Sequence, residues 1–192
     1  MLPRFALTWE HEVSAAIEDI ASRAPFRHMI TPGGFRMSVA MTNCGPLGWV
    51  TDRSGYRYST VDPDSGKAWP EMPEAFLALA RSAAERAGFE RYAPDACLIN
   101  RYQPGAKMSL HVDKDEQDFS QPIVSVSLGL PAVFQFGGLK RSDPAERMPL
   151  EHGDVVVWGG PARLRYHGVL PLKENPLYGT HRYNLTFRKA GC

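Results

Sequence analysis

Residues 95–113, DACLINRYQPGAKMSLHVD, hold two short alternating runs broken by a Gln-Pro-Gly turn. Runs of four to eight residues bounded by Gly and Pro read as β-strands, with side chains pointing alternately to the two faces. Leu98, Asn100 and Tyr102 then share one face of the first strand, and His111 and Asp113 share one face of the second. The same pattern recurs downstream in IVSVSLGL (123–130), AVFQF (132–136), DVVVWG (154–159), RLRYHGV (163–169) and HRYNLTF (181–187), separated by Gly, Pro and Asp turns. Seven strands with no helical periodicity between them predict a sandwich or barrel.

Upstream the periodicity changes. EHEVSAAIEDIASRA (10–24) spaces Val13, Ala16, Ile17, Ile20 and Ala24 as an amphipathic helix that stops at Pro25. A second helix is predicted from about Pro73 to Ala87, opened by a proline and closed by Gly88. Between the two, RMSVAMT (36–42), LGWVTD (47–52) and GYRYST (55–60) read as short strands joined by Asn-Cys-Gly and Arg-Ser-Gly turns. The chain is thus expected to be mainly β with flanking helices. Its 192 residues suit one domain.

Charge excludes one class of function. With 22 basic and 21 acidic residues the chain carries a formal +1, so nothing draws the whole molecule to polyanions, and a nucleic-acid surface would have to be local. Cys44, Cys97 and Cys192 have no metal-like spacing and leave one thiol over in any disulfide scheme, which favours a reducing, cytoplasmic compartment. No run reaches the ~20 apolar residues that span a bilayer.

The candidate chemistry lies on the strand faces. His111 and Asp113 are close enough to ligate one ion, and Asp115 lies next along the same line. Polar strand edges near turns produce such pairs too, so a third ligand matters. His167, in RLRYHGV, supplies a candidate, though a hydrogen-bonded core histidine would read the same way. Two imidazoles and one carboxylate on one face of a metal leave adjacent positions open, which suits non-haem Fe(II) and dioxygen, whereas a structural zinc site is closed. In RYNLTFR (182–188), Arg182, Asn184, Thr186 and Arg188 share a face. Two guanidiniums inside a barrel call for an anion, and a small dicarboxylate fits their forked donors; a solvated edge strand is the alternative. Asn100 and Tyr102 can add neutral donors, and together these features resemble a 2-oxoglutarate site.

Taken at length, NRYQPGAKMSLHVDKDE, PIVSVSLGLPAVFQFGG, LEHGDVVVWGG, RLRYHG and RYNLTFR resemble the AlkB family of Fe(II)/2-oxoglutarate-dependent nucleic-acid dealkylases. The likeness runs from about Ser22 to Lys189, and TPGGFRMSVAMTNCG and LGWVTDRSGYRYS resemble the substrate-binding cover of its bacterial repair members. The resemblance implies a double-stranded β-helix, or jelly roll, over about 95–189, with a hairpin-rich nucleotide-recognition cover over about 25–60. It implies Fe(II) on His111, Asp113 and His167, and 2-oxoglutarate and O2 as cosubstrates. Arg182 would meet the far carboxylate of 2-oxoglutarate, with Asn100, Tyr102, Asn184 and Arg188 as further contacts, Arg188 nearer the metal.

For the substrate, the resemblance implies N-alkylated bases of the 1-methyladenine and 3-methylcytosine type, in DNA and also in RNA, with formaldehyde released. A flipped base would lie between Trp49 and His111, with Thr31, Tyr56, Tyr58, Asp115 and Arg141 as further contacts. Asp115 has a chemical reason: methylation at those ring nitrogens makes the base cationic. The modest net charge favours short single-stranded substrates in place of a broad basic groove, and a monomer is expected. The competing readings are an oxygenase acting on a small molecule or protein side chain, and a binding module without turnover. The cover argues against the first and the intact triad against the second.

Overall fold

Proline and glycine set the limits of the helices, as expected. In the computed structural model, which describes residues 1–191, helix α1 spans Glu10–Arg23 and helix α2 spans Glu74–Arg86. Cys192 lies outside the described residues. α1 buries Val13, Ile17 and Ile20; α2 buries Phe76, Leu79, Ala80, Ala83 and Ala84. Among the described residues no helix is long and apolar enough to cross a membrane.

The strands are β1 (Ala40–Cys44), β2 (Gly48–Asp52), β3 (Gly55–Ser59), β4 (Ala96–Tyr102), β5 (Met108–His111), β6 (Ile123–Gly129), β7 (Ala132–Phe136), β8 (Glu146–Leu150), β9 (Val155–Trp158), β10 (His167–Val169) and β11 (Arg182–Arg188). They form a five-stranded sheet ordered β1-β4-β11-β6-β9, a four-stranded sheet ordered β5-β10-β7-β8, and a separate β2-β3 hairpin. Every pairing between these strands is antiparallel. This is the jelly-roll core with a hairpin cover.

The larger sheet is covered on both faces. Cys97, Ile99, Val124, Val126, Leu185 and Phe187 pack with the helices, Phe187 meeting Phe76 edge to face at 5.8 Å. Alternation sends Leu98, Asn100, Tyr102, Ser125, Ser127, Arg182, Asn184, Thr186 and Arg188 to the other face, where all are buried. There Leu98 and Tyr102 join Phe134, Trp158 and Val169 in a second core. The strand register decides what meets inside: Arg182 lies opposite Tyr102, and Asn184 opposite Asn100.

The strands differ from the sequence expectation in four places. Strand β5 ends at His111, so Asp113 lies just beyond the strand that was expected to carry both. Strand β1 begins at Ala40, not Arg36, and joins the edge of the larger sheet against β4. Residues 27–36 instead fold back on themselves, with isolated bridges from Arg27 to Met41 and from Ile30 to Arg36. The run RLRYHGV is strand only from His167, because Arg163 is turned inward to bond the carbonyls of Gln121 and Asp113. Strand β8 was not expected, since Glu146–Leu150 contains Pro149; it is an edge strand paired to β7 alone, where a missing N–H costs least.

Candidate active site

His111 and His167 lie directly opposite one another where β5 pairs with β10, their ring centroids 4.4 Å apart. Gly168 permits this approach: a Cβ there would come within 2.7 Å of the Met108 carbonyl oxygen. Each imidazole is oriented by the backbone carbonyl two residues before it. His111 Nδ1 donates to the Ser109 carbonyl at 2.9 Å and His167 Nδ1 to the Arg165 carbonyl at 3.1 Å, so the remaining lone pair of each sits on Nε2. Both Nε2 atoms lie 3.7 Å from the Asp113 carboxylate, His111 facing Oδ1 and His167 facing Oδ2.

The ligand atoms of the three residues all lie within 4.8 Å of one another. Burial, reinforced by His111, lowers the His167 pKa to about 4, so this ring is neutral and ready to ligate. Burial works against the charged form of Asp113, but the Arg188 guanidinium and the two imidazoles together outweigh it and hold the carboxyl well below the usual range. Arg188 donates to Asp113 Oδ2 from Nε at 3.0 Å and from Nη2 at 2.7 Å.

The two arginines of β11 have different surroundings. Arg182 is 1% exposed, donates from Nη2 to Ser127 Oγ at 2.9 Å and lies 5.0 Å from the Tyr102 ring centre. Its Nε and Nη1 have no hydrogen-bond partner, and among the described residues no carboxylate pairs with it. Arg188 by contrast is already met by Asp113 and, at 3.3 Å, by Glu116. Of the two guanidiniums expected to call for an anion, Arg182 is the one left without a counter-charge.

Asn100, Tyr102, Asn184 and Arg188 line one internal cavity with His111, His167 and Trp158. Asn184 is itself tied down, giving its amide hydrogens to Ser125 Oγ and the Val126 carbonyl while accepting from Thr186 and Asn100. Asn100 Oδ1, Trp158 Nε1 and Arg188 Nη1 are buried without partners. Two imidazole nitrogens and a carboxylate oxygen suit Fe(II), and the unpartnered donors of Trp158, Arg188 and the buried Arg182 suit a dianionic cosubstrate.

The hairpin sits over this cavity by polar ties. The Asn43 side chain acts as a substitute strand for Trp49, accepting from its N–H and donating to its carbonyl, both at 3.0 Å. Trp49 stacks on Tyr56 at 5.7 Å, and its indole N–H donates to Asp115 Oδ2 at 3.0 Å. Tyr58 donates to Glu116 Oε1 at 2.7 Å. Thr31 Oγ1 accepts from Phe35 N–H in the preceding turn, and Thr51 of the hairpin bonds the Ile30 carbonyl. Arg141 stands apart, exposed in the loop between β7 and β8. Trp49, Tyr56, Tyr58 and Asp115 are therefore brought together with the triad.

Asn43, Glu116 and Arg163 were missed in the sequence. Glu116 ends the acidic run DKDE and looks like a turn carboxylate, yet it is 6% exposed and pairs with Arg163 at 3.2 Å. Only its inward partners reveal it. Trp158 reads as core, and is, but it also packs against His167 at 4.9 Å.

A jelly roll with a two-histidine, one-carboxylate face beside a cation lacking its anion defines an Fe(II)/2-oxoglutarate oxygenase. Comparison with known proteins agrees: residues 1–188 match the 2OG-Fe(II) oxygenase superfamily. The chain is 62% identical over 193 aligned residues to the Alpha-ketoglutarate-dependent dioxygenase AlkB of Escherichia coli (strain K12), covering 100% of this chain and 89% of that protein. It is 32% identical over 146 residues to the tRNA demethylase abh1 of Schizosaccharomyces pombe, covering 75% of this chain and 47% of that one. The solved structure of OsALKBH1 superposes with a TM-score of 0.73 at 30% identity, covering 85% of this chain and 83% of its own. The chain belongs to the AlkB family of 2-oxoglutarate-dependent dioxygenases.

Proposed function

We propose that this protein repairs N-alkylated nucleobases of the 1-methyladenine and 3-methylcytosine type, in DNA and in RNA, by oxidising the alkyl carbon. The observation that carries the reading is the aromatic pair Trp49–Tyr56 held at the triad by the Trp49–Asp115 hydrogen bond. A base taken out of the stack finds there an aromatic face and a carboxylate suited to its positive charge. Iron on His111, Asp113 and His167, with 2-oxoglutarate and dioxygen, supplies the oxidising power for hydroxylation of the N-alkyl carbon.

The chain's residues provide placement. The Nδ1–H bonds fix both imidazoles, and the Arg188 fork holds Asp113 Oδ2 while leaving Oδ1 directed at His111. Arg182, bonded to Ser127 and packed on the cavity-lining Tyr102, would receive the far carboxylate of 2-oxoglutarate, and Asn100, Asn184 and Arg188 border the cavity with Tyr102. Asp115 favours the cationic lesion over the neutral base, and Thr31, Tyr56, Tyr58 and Arg141 face or flank the bound strand. The hydroxylated N-methyl group then separates as formaldehyde, restoring the base. Succinate and carbon dioxide take the other oxygen and the carbons of 2-oxoglutarate.

Single strands are the preferred form in this reading, because no pairing needs to open. A reducing cytoplasm fits the two free buried thiols, Cys44 and Cys97, and in this reading the protein acts as a monomer. The test is formaldehyde and unmodified base from a 1-methyladenine oligonucleotide with Fe(II), ascorbate and 2-oxoglutarate. Both products are expected only when 2-oxoglutarate is present. Consumption of 2-oxoglutarate without repair would refute the base reading and point to a small-molecule or protein substrate.

A further inference from the structure

The cover hairpin and the carboxylate of the triad are joined by a buried ionic chain. Glu116, its side chain 2% exposed, stands at the middle. Oε1 accepts the Tyr58 hydroxyl at 2.7 Å and lies 3.3 Å from Arg188 Nε; Oε2 lies 3.2 Å from Arg163 Nη2. Arg188 in turn grips Asp113 Oδ2, while Arg163 Nη1 donates to the Asp113 backbone carbonyl at 3.0 Å. One side chain thus reaches β3 of the hairpin, both inward arginines and, through them, the side chain and backbone of a metal-ligand candidate.

We propose that Glu116 is a positioning residue that couples the seating of the hairpin to the orientation of Asp113. This rests on reading the triad as the metal site and the hairpin as its cover. Charge explains the coupling. Asp113 and Glu116 together balance Arg163 and Arg188, so the buried group is neutral as a set. Without Glu116, two guanidiniums share one carboxylate, and Asp113 is drawn away from the imidazoles to satisfy both. The same loss strips Tyr58 of its acceptor, although burial keeps the phenol protonated and able to donate. A link of this kind runs in both directions: whatever fixes Asp113 steadies the hairpin, and whatever frees the hairpin loosens Asp113.

The test uses Co(II) as the probe, without cosubstrate or turnover. Cobalt affinity is read from its visible absorption, and hydrogen exchange follows the amides of residues 48–59 with and without the metal. Wild type is expected to bind Co(II) and to show slower hairpin exchange when it is bound. Glu116→Gln should lower the affinity about ten- to a hundredfold, as loss of a group supporting a ligand does elsewhere. Tyr58→Phe, which removes one hydroxyl and keeps the ring, should lower it less but also abolish the slowing. The double variant should bind Co(II) no more weakly than Glu116→Gln alone, because both act through one chain.

Unchanged affinity and a normal hairpin response in both variants would overturn the coupling while leaving the metal site standing. Additive losses in the double variant would also overturn it, since they would mean two unrelated structural effects. Failure of wild type itself to bind Co(II) would overturn the metal-site reading, and the coupling with it.

Discussion

Arg182 is a cation buried where no carboxylate answers it, an arrangement that a folded chain tolerates at a cost in stability. Arg182→Met keeps most of the side-chain volume and removes the charge. It should raise the KM for 2-oxoglutarate by about ten- to two-hundredfold, the range for losing charged hydrogen bonds of about 1.5–3 kcal/mol. The thermal midpoint of the metal-free protein should hold or rise, because a desolvated charge has gone. A fall in that midpoint with an unaltered KM would make Arg182 a structural residue. The period-two pattern of RYNLTFR made this side chain legible, as it did the His111–Asp113 pair. What the pattern could not show is that Arg188 is already paired, because its partner Glu116 lies 72 positions earlier in an unremarkable acidic turn.

Among the elements, the meeting of β5 and β10 sets the distance between the two imidazoles. Its sensitive point is Gly168, where an added Cβ would stand 2.7 Å from the Met108 carbonyl oxygen and 3.1 Å from Leu110 N. Backbone atoms cannot swing aside, so Gly168→Ala must push the strands apart, at a cost of about 1–3 kcal/mol. Both the melting temperature and the Co(II) affinity should drop in this variant. Loss of stability with full metal affinity would show that the strand spacing does not set the ligand geometry. The helices were legible from the one-sided spacing of their apolar residues, and most inner strands from their alternation between clear turn residues. Strand β8 was not, since Pro149 is tolerated there only through its edge position, which is a property of the sheet and not of the segment. The start of β1 was displaced for a similar reason: residues 27–36 found partners in their own vicinity.

For the molecule as a whole, near-neutrality shapes its encounter with nucleic acid. A chain whose 22 basic residues are offset by 21 acidic ones has little net positive field to draw phosphates. If about two phosphates are contacted, binding of a short methylated single strand should weaken only about sevenfold between about 50 and about 200 mM salt. A decline of several hundredfold in a fluorescence-anisotropy titration would reveal a basic track that spans more of the surface. The composition made this scale legible from the outset, whereas the attachment of the cover was not, since one buried amide does the work of a neighbouring strand. Asn43 receives Trp49 by its backbone alone and ignores the side chain there. The socket therefore imposes no demand on the side chain displayed at position 49, so that position can be redrawn with the oxidising machinery left as it is, provided the Tyr58–Glu116 tie is kept.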